Sequence, residues 1–264
     1  MQDFHLIVSS NADDASKVMA DHILESFSFE KNTDGVLHYK DYILVRIEEK
    51  HLFMNDLPSV VLPLRPNIKD IIFLSKHSSS ADIKSITVHP TGNFSSADLG
   101  GLPGKLSESD PEKMSSALRA MKESYSGEYF SVTFEATHHG PLLTIPNYYI
   151  EIGTSEREWT RGDALDLIME GVFTESNNFD NFVGIGGGHY MPKITEYFYR
   201  NSLNMGHMIS KHSLEGITEE LLKQSVMKTR NCKGFIMDNK GTKSVAKSMV
   251  EKVADELSLE IIKI

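Results

Sequence analysis

Five of the eleven histidines in this chain, His77, His89, His138, His139 and His189, follow short runs of β-forming residues. The runs are IIFLSKH (71–77), SITVHPTGNF (85–94), SVTFEATHHGP (131–141) and NFVGIGGGHY (181–190). A histidine-free counterpart, YYIEIGTSEREW (148–159), brings Glu151. Where strands run parallel, everything just past a strand end lies on one rim of the sheet, so these distant residues are expected to meet. Imidazoles, carboxylates and bare backbone on one rim are what metal-assisted hydrolysis uses.

Each motif has a plain structural reading beside the chemical one. His138-His139 would serve as an ordinary polar pair in a turn before Pro141. Neighbours on extended chain point to opposite sides, so both reach one metal only if the backbone turns there, as Gly140-Pro141 allows. Glu135, three positions before His138 and inside an apolar strand, needs a partner, and a metal or an imidazole would be one. Three successive glycines, Gly186, Gly187 and Gly188, carry an entropic cost that positive φ angles or close approach to a ligand would justify. Their amide groups would suit an oxyanion or a phosphate; no P-loop or dinucleotide fingerprint follows them. Gly153-Thr154-Ser155 before a capped helix offers a second anion site. His5, His22, His38 and His51 receive no role.

The elements that must hold these residues alternate. Residues 4–9 read as a strand and Asn11 or Asp13 caps a helix reaching Ser26. Residues 35–64 read as a β-rich insertion of two or three runs, followed by strands at 71–74 and 86–88. Asp110 caps a helix over Pro111–Ser124, with proline in the first turn. Strands at 130–135 and 148–152 follow, then a helix whose capping box pairs Ser155 with Glu158. A helix over 163–173 with Leu165, Ile168, Met169 and Val172 inward, a strand at 182–185 and a helix over 218–228 continue the pattern. A strand at 234–237, a helix after Thr242 and a strand at 260–264 close it. The order predicts an α/β fold, one domain over residues 1–264, with a mostly parallel (mixed) sheet and helices on both faces.

Composition bounds the function. With 40% apolar and 24% charged side chains in 264 residues, the chain can bury a full core. The net charge of −10 argues against coating duplex nucleic acid, DNA included, by bulk electrostatics. A local patch drawn from Lys76, Lys105, Arg157, Arg161, Lys193, Arg200 and Lys211 can still grip a nucleic-acid end. A single cysteine excludes an internal disulfide and a cysteine zinc cage, which points to the reducing cytoplasm and leaves His, Asp and Glu as the metal ligands. The first residues lack a basic, apolar leader, and no stretch has the length of a membrane span, so a soluble, unprocessed protein is expected.

The strings FEATHHGP (134–141), EIGTSEREW (151–159), GIGGGHYMPKIT (184–195), SKH (75–77), HPTGNF (89–94) and GHMISKHSL (206–214) together resemble the archaeal and plant type of D-aminoacyl-tRNA deacylase. The resemblance runs in order from about residue 70 to 215. It implies hydrolysis of the ester between a D-amino acid and the 3′ end of tRNA, a zinc requirement, and a fold akin to nucleoside phosphorylases and peptidyl-tRNA hydrolases. With zinc in mind, His138, His139, His189 and His89 are the expected ligands, with His77 near them. Glu135, Glu151 and His77 are the expected catalytic groups, as general base or as carboxylates that orient imidazoles. Gly186, Gly187, Gly188, Thr154, Ser155 and Lys76 are expected to bind substrate, whose partner molecule is the acceptor end of an aminoacyl-tRNA met by a monomer. A nucleoside phosphorylase-like enzyme, another metal-dependent hydrolase or a non-catalytic RNA-binding module are the rival readings. The first needs a phosphate site and no metal; the last needs interleaved basic and aromatic residues.

Overall fold

The computed structural model describes residues 3–31, 36–63, 67–78 and 82–264. Strand β1 (Phe4–Ser10) leads into helix α1 (Asp14–Ser26), where the Asp13 carboxylate accepts from the Ser16 amide as an N-cap. The short β2 (Glu30–Lys31) and β3 (Leu37–Tyr39) pair antiparallel at one edge with β4 (Tyr42–Ile47). Helix α2 (Leu57–Val61) follows, then β5 (Ile68–Lys76) and β6 (Ser85–His89). Helix α3 (Pro111–Ser124) begins as its sequence predicts, with Asp110 accepting from the Lys113 amide. Next come β7 (Ser131–Phe134), β8 (Asn147–Gly153), α4 (Glu156–Trp159) with its capping box, and α5 (Gly162–Phe173). The last third alternates β9 (Asp180–Ile185), α6 (Pro192–Arg200), β10 (Leu203–Ile209), α7 (Glu219–Met227), β11 (Cys232–Met237), α8 (Ser244–Leu257) and β12 (Glu260–Lys263).

Among the described residues the strands form a mixed eight-stranded sheet, in the order β2-β3-β4-β1-β5-β8-β6-β7, and a parallel four-stranded sheet, β10-β9-β11-β12. The α/β class is as expected. The middle of the larger sheet, β4-β1-β5-β8, is parallel, but β6 runs antiparallel to β8. That reversal changes where the chemistry sits. The histidine-bearing strand ends do not share one rim: His89, at the end of β6, lies opposite Tyr149 near the start of β8.

The residues meet on a face of the sheet instead. Partners in register share a side, and the rows Phe73–Tyr149–His89 and Ser75–Glu151–Thr87–Thr133 therefore project together. Glu135, whose amide donates to the Val88 carbonyl, continues the alternation onto that side. The opposite side carries Ile72, Leu74, Tyr148, Ile150, Ile86, Val88 and Phe134 into the largest core, under α1, α3 and α5. Helices of the smaller sheet cover both its faces: α7 and α8 pack on Val183, Ile185, Phe235 and Met237, while α6 joins the largest core through Ile194 and Phe198.

The expected β-rich segment over 35–64 needs correction at its second half, and its two end residues lie outside the described ones. Its strands β3 and β4 extend the main sheet, since β4 pairs with β1. The run LPSVV is helix α2, with Pro58 in its first turn and Leu57 and Val61 buried. A five-residue apolar run reads alike for helix and buried strand, and proline in the first turn decides it. Helix α6 and strand β10 are elements that the sequence reading did not assign.

Candidate active site

His89, His138 and His139 are the closest group. Their rings lie 4.1 to 4.8 Å apart by centroid, and His89 also stacks on Tyr149. The turn that lets adjacent imidazoles face one point is made by His139 itself, whose φ of 45° is left-handed. The Nδ1 of each ring sits against a backbone carbonyl: His89 on Pro90 at 3.2 Å, His138 on Ala136 at 2.8 Å, His139 on Gly140 at 2.7 Å. A carbonyl only accepts, so Nδ1 carries a proton and Nε2 is the nitrogen of each ring that is left to meet a metal or a carboxylate. Backbone carbonyls behind imidazoles are the usual way a metal-binding histidine is oriented.

The carboxylates lie beneath. Glu151 Oε1 is 3.6 Å from His89 Nε2 and 3.8 Å from His139 Nε2. Glu135 has His189 Nε2 at 3.0 Å and His138 Nε2 at 3.7 Å on one oxygen, and His77 Nδ1 at 2.9 Å on the other. His77 completes its contacts through Nε2, 2.8 Å from the Tyr190 hydroxyl. Gly153 leaves it room, because a Cβ there would fall 2.8 Å from its Cβ and ring.

Charge makes this arrangement demanding. Burial alone would raise both carboxylates, yet His189 and His77 beside Glu135, and His139, His77 and His89 beside Glu151, hold them below their ordinary range. Burial would lower His77, but Glu135 and Glu151 outweigh it and raise its pKa to about 11. The same contest, with Glu151 on the winning side, raises His89. Burial and neighbouring imidazoles lower His138 and His139, which keeps them neutral.

Among the described residues three overlapping groups each hold ligand atoms within 4.8 Å of one another: His89, His138 and His139; Glu135, His138 and His189; His77, Glu135 and Glu151. These donors fit a metal ion. Both Glu135 oxygens and His89 Nε2 are buried without an aligned hydrogen bond, two buried carboxylates need positive charge, and three imidazole nitrogens converge beside them. A cation and protons compete for those nitrogens.

The cluster forms one wall of an open cavity of about 610 Å³, also lined by Asp13, Lys50, His51, Leu52, Lys76 and Leu99. Of the expected substrate-binding residues, Lys76 lines it. The others do not. Gly186 and Gly187 adopt φ of 89° and 85°, and a Cβ on Gly186 would meet the Thr242 hydroxyl at 2.4 Å, so these glycines fit the β9 exit against the loop after β11. Gly188 is likewise absent from the lining. Thr154 donates to Asp82, and Ser155 is the helix cap paired with Glu158. Within the expected basic patch, Arg161, Lys193 and Arg200 are engaged by Asp163, Asp238 and Glu196.

Sequence reasoning missed His51, Tyr149, Tyr190, Thr137 and His207. His51 donates from Nε2 to the Leu74 carbonyl at 3.2 Å and has the Tyr149 hydroxyl at Nδ1, which fixes the turn that walls the cavity. Burial holds its pKa near 4. Thr137 ties the two sheets: its amide donates to the Met208 carbonyl, and its hydroxyl accepts from the Met208 amide and bonds His207 Nδ1 at 3.1 Å. Tyr190 and Thr137 could have been found as the neighbours of His189 and His138, and His207 lies within the string GHMISKHSL; His51 and Tyr149 carried no such signal.

An α/β sheet bearing a buried histidine–carboxylate cluster on the wall of an open cavity defines a hydrolase-type enzyme. The chain belongs to the D-aminoacyl-tRNA deacylase family, whose model matches residues 64–262. It is 50% identical to the D-aminoacyl-tRNA deacylase of Thermoplasma acidophilum, over 98% of this chain and 100% of that one. With the protein of the same description from Thermococcus kodakarensis it shares 32% identity, over 98% and 99%. A crystal structure of a conserved protein of unknown function superposes with a TM-score of 0.91 at 28% identity, covering 99% of this chain and 95% of that one.

Proposed function

We propose that this chain is a zinc-dependent hydrolase that cleaves the ester between a D-amino acid and the 3′ end of tRNA, freeing the amino acid and the tRNA for reuse in the cytoplasm. The observation that carries the reading is the convergence of three Nε2 atoms, on His89, His138 and His139, beside Glu151, with His138, His139 and Glu151 lining the cavity. Zinc bound there supplies Lewis acidity and lowers the pKa of a bound water to about 7.

The protein groups do the rest. Glu151 holds His89 and His139, and Glu135 holds His189 and His77. His189 is the exposed member of the cluster, and Glu135 beside its Nε2 favours the proton there, leaving Nδ1 to take the proton of the attacking water. In this reading His189 is a base and not a ligand, and the two carboxylates orient. As the ester C–O bond breaks, the ribose oxygen receives that proton, so water is divided between the two products. The two carboxylates that serve the imidazoles would repel phosphate, which disfavours the phosphorylase alternative.

Release of D-tyrosine and L-tyrosine from charged tRNA, with and without a chelator, tests the reading. D-specific release that stops on chelation and returns with zinc is expected. Full activity after exhaustive metal removal, confirmed by elemental analysis, overturns the metal; no release at all overturns the hydrolase.

A further inference from the structure

Two large apolar side chains that the core does not use stand by the cavity: Leu99 in its lining, and Phe53 next in the chain to the lining residue Leu52. Phe53 is 53% exposed and Leu99 57%, and the Phe53 ring lies near the backbone that follows Leu99: a Cβ on Gly100 would lie 1.8 Å from the Leu52 carbonyl oxygen and 3.4 Å from the Phe53 ring. Gly100 takes a φ of 81° and its missing Cβ lets the two backbones approach this closely. Leu52 packs partly into the core, and His51 is bonded to β5 and β8, so the Phe53 ring is presented by an anchored turn. Leu99 lines the cavity, as do Lys50 and Lys76.

We propose that Phe53 and Leu99 form a stacking lip for the last unpaired base of the tRNA 3′ end, with Lys50 and Lys76 facing its phosphates; this rests on the hydrolase reading above. The chemistry favours that occupant. A rigid, half-exposed aromatic ring beside lysines suits a base with a charged backbone, and every base has a face that stacks. A chain of net charge −10 does not attract tRNA by bulk electrostatics, which puts weight on local contacts such as these. A platform that reads a base and not the amino acid also matches a substrate whose nucleotide end is constant.

Affinity is measured for uncharged tRNA and for the same tRNA shortened by its terminal nucleotide. Wild type should prefer the intact form by about 5- to 100-fold, the range expected for one stacked base. Phe53→Ala should bind both forms alike, at the level of the shortened one, while Phe53→Tyr restores the preference. Leu99→Ala should reduce it, and Val60→Ala, another exposed apolar position, should not. Melting temperatures identify any variant that misfolds, in which case Phe53→Tyr and Leu99→Ala carry the test. An unchanged preference in Phe53→Ala, or an equal loss for both tRNA forms, overturns the lip. Release of D-tyrosine by wild type, followed in parallel, tests the underlying reading separately: turnover without a stacking preference sinks the lip alone, and preference without turnover sinks the hydrolase.

Discussion

His138 and His139 illustrate how much a single residue's backbone decides. Adjacent side chains on extended chain diverge; the left-handed φ of His139 folds them together and turns both Nε2 atoms toward Glu151 and Glu135. Alanine at either position should lower single-turnover hydrolysis by about 100-fold or more and reduce bound metal, while tRNA affinity changes little, since phosphate and base contacts lie elsewhere. Metal content and tRNA affinity measured on the same variants check it; full metal with wild-type rate in both would remove the pair from the site. Gly186 makes the opposite case. Its positive φ and the nearby Thr242 hydroxyl make Gly186→Ala costly to stability, by about 1–3 kcal/mol, with metal still bound. Denaturant melts with parallel metal analysis would show a binding role for this glycine if metal were lost and stability kept.

At the scale of elements, the join between the two sheets positions the site. Residues 136–137 leave β7 for the smaller sheet, with the Ala136 amide on the His189 carbonyl in the loop after β9 and the Thr137 amide on the Met208 carbonyl of β10. His138 follows at once. Thr137→Val would leave the Met208 amide and His207 Nδ1 unpaired in the interior, which costs about 1–3 kcal/mol and should also weaken metal binding about 10-fold through the displaced His138. Urea titration and competition with a chromophoric chelator read the two effects; unaltered metal affinity in a destabilised variant would separate the join from the site.

For the whole molecule, buried neutral histidines tie stability to pH. His207 is fully buried, donates from Nε2 to the Ser107 carbonyl at 3.0 Å, and has its pKa lowered by burial to about 4. Its folded pKa lies below its unfolded value, so its contribution is intact above about pH 6.5 and is lost as pH falls toward 4. Across that window wild type should lose on the order of 3 kcal/mol relative to His207→Gln, which does not titrate. Unfolding free energies of both proteins at several pH values check the sign; a constant difference would mean that folding does not shift the pKa of His207. Among the described residues no helix is long and apolar enough to cross a membrane.

The sequence by itself determined most elements and the chemical inventory. Caps such as Asp13, Asp110 and Ser155, the apolar periodicity and the clustering of histidines after β-runs are local signals, and the structure places each of them in the expected kind of element. It also brings His77, His89, Glu135, His138, His139, Glu151 and His189 into one cluster. Only the tertiary structure decided how they meet. Antiparallel pairing of β6 with β8, division into two sheets, and a face in place of a rim all depend on partners remote in the chain. So do the contacts of His51 with Tyr149 and of His207 with Ser107, which join residues far apart in the chain. Hydrogen bonds within a helix or cap join residues a few positions apart and leave a trace in spacing. Sheet order and the approach of one loop to another are set by packing over the whole chain, and no short window of sequence records them.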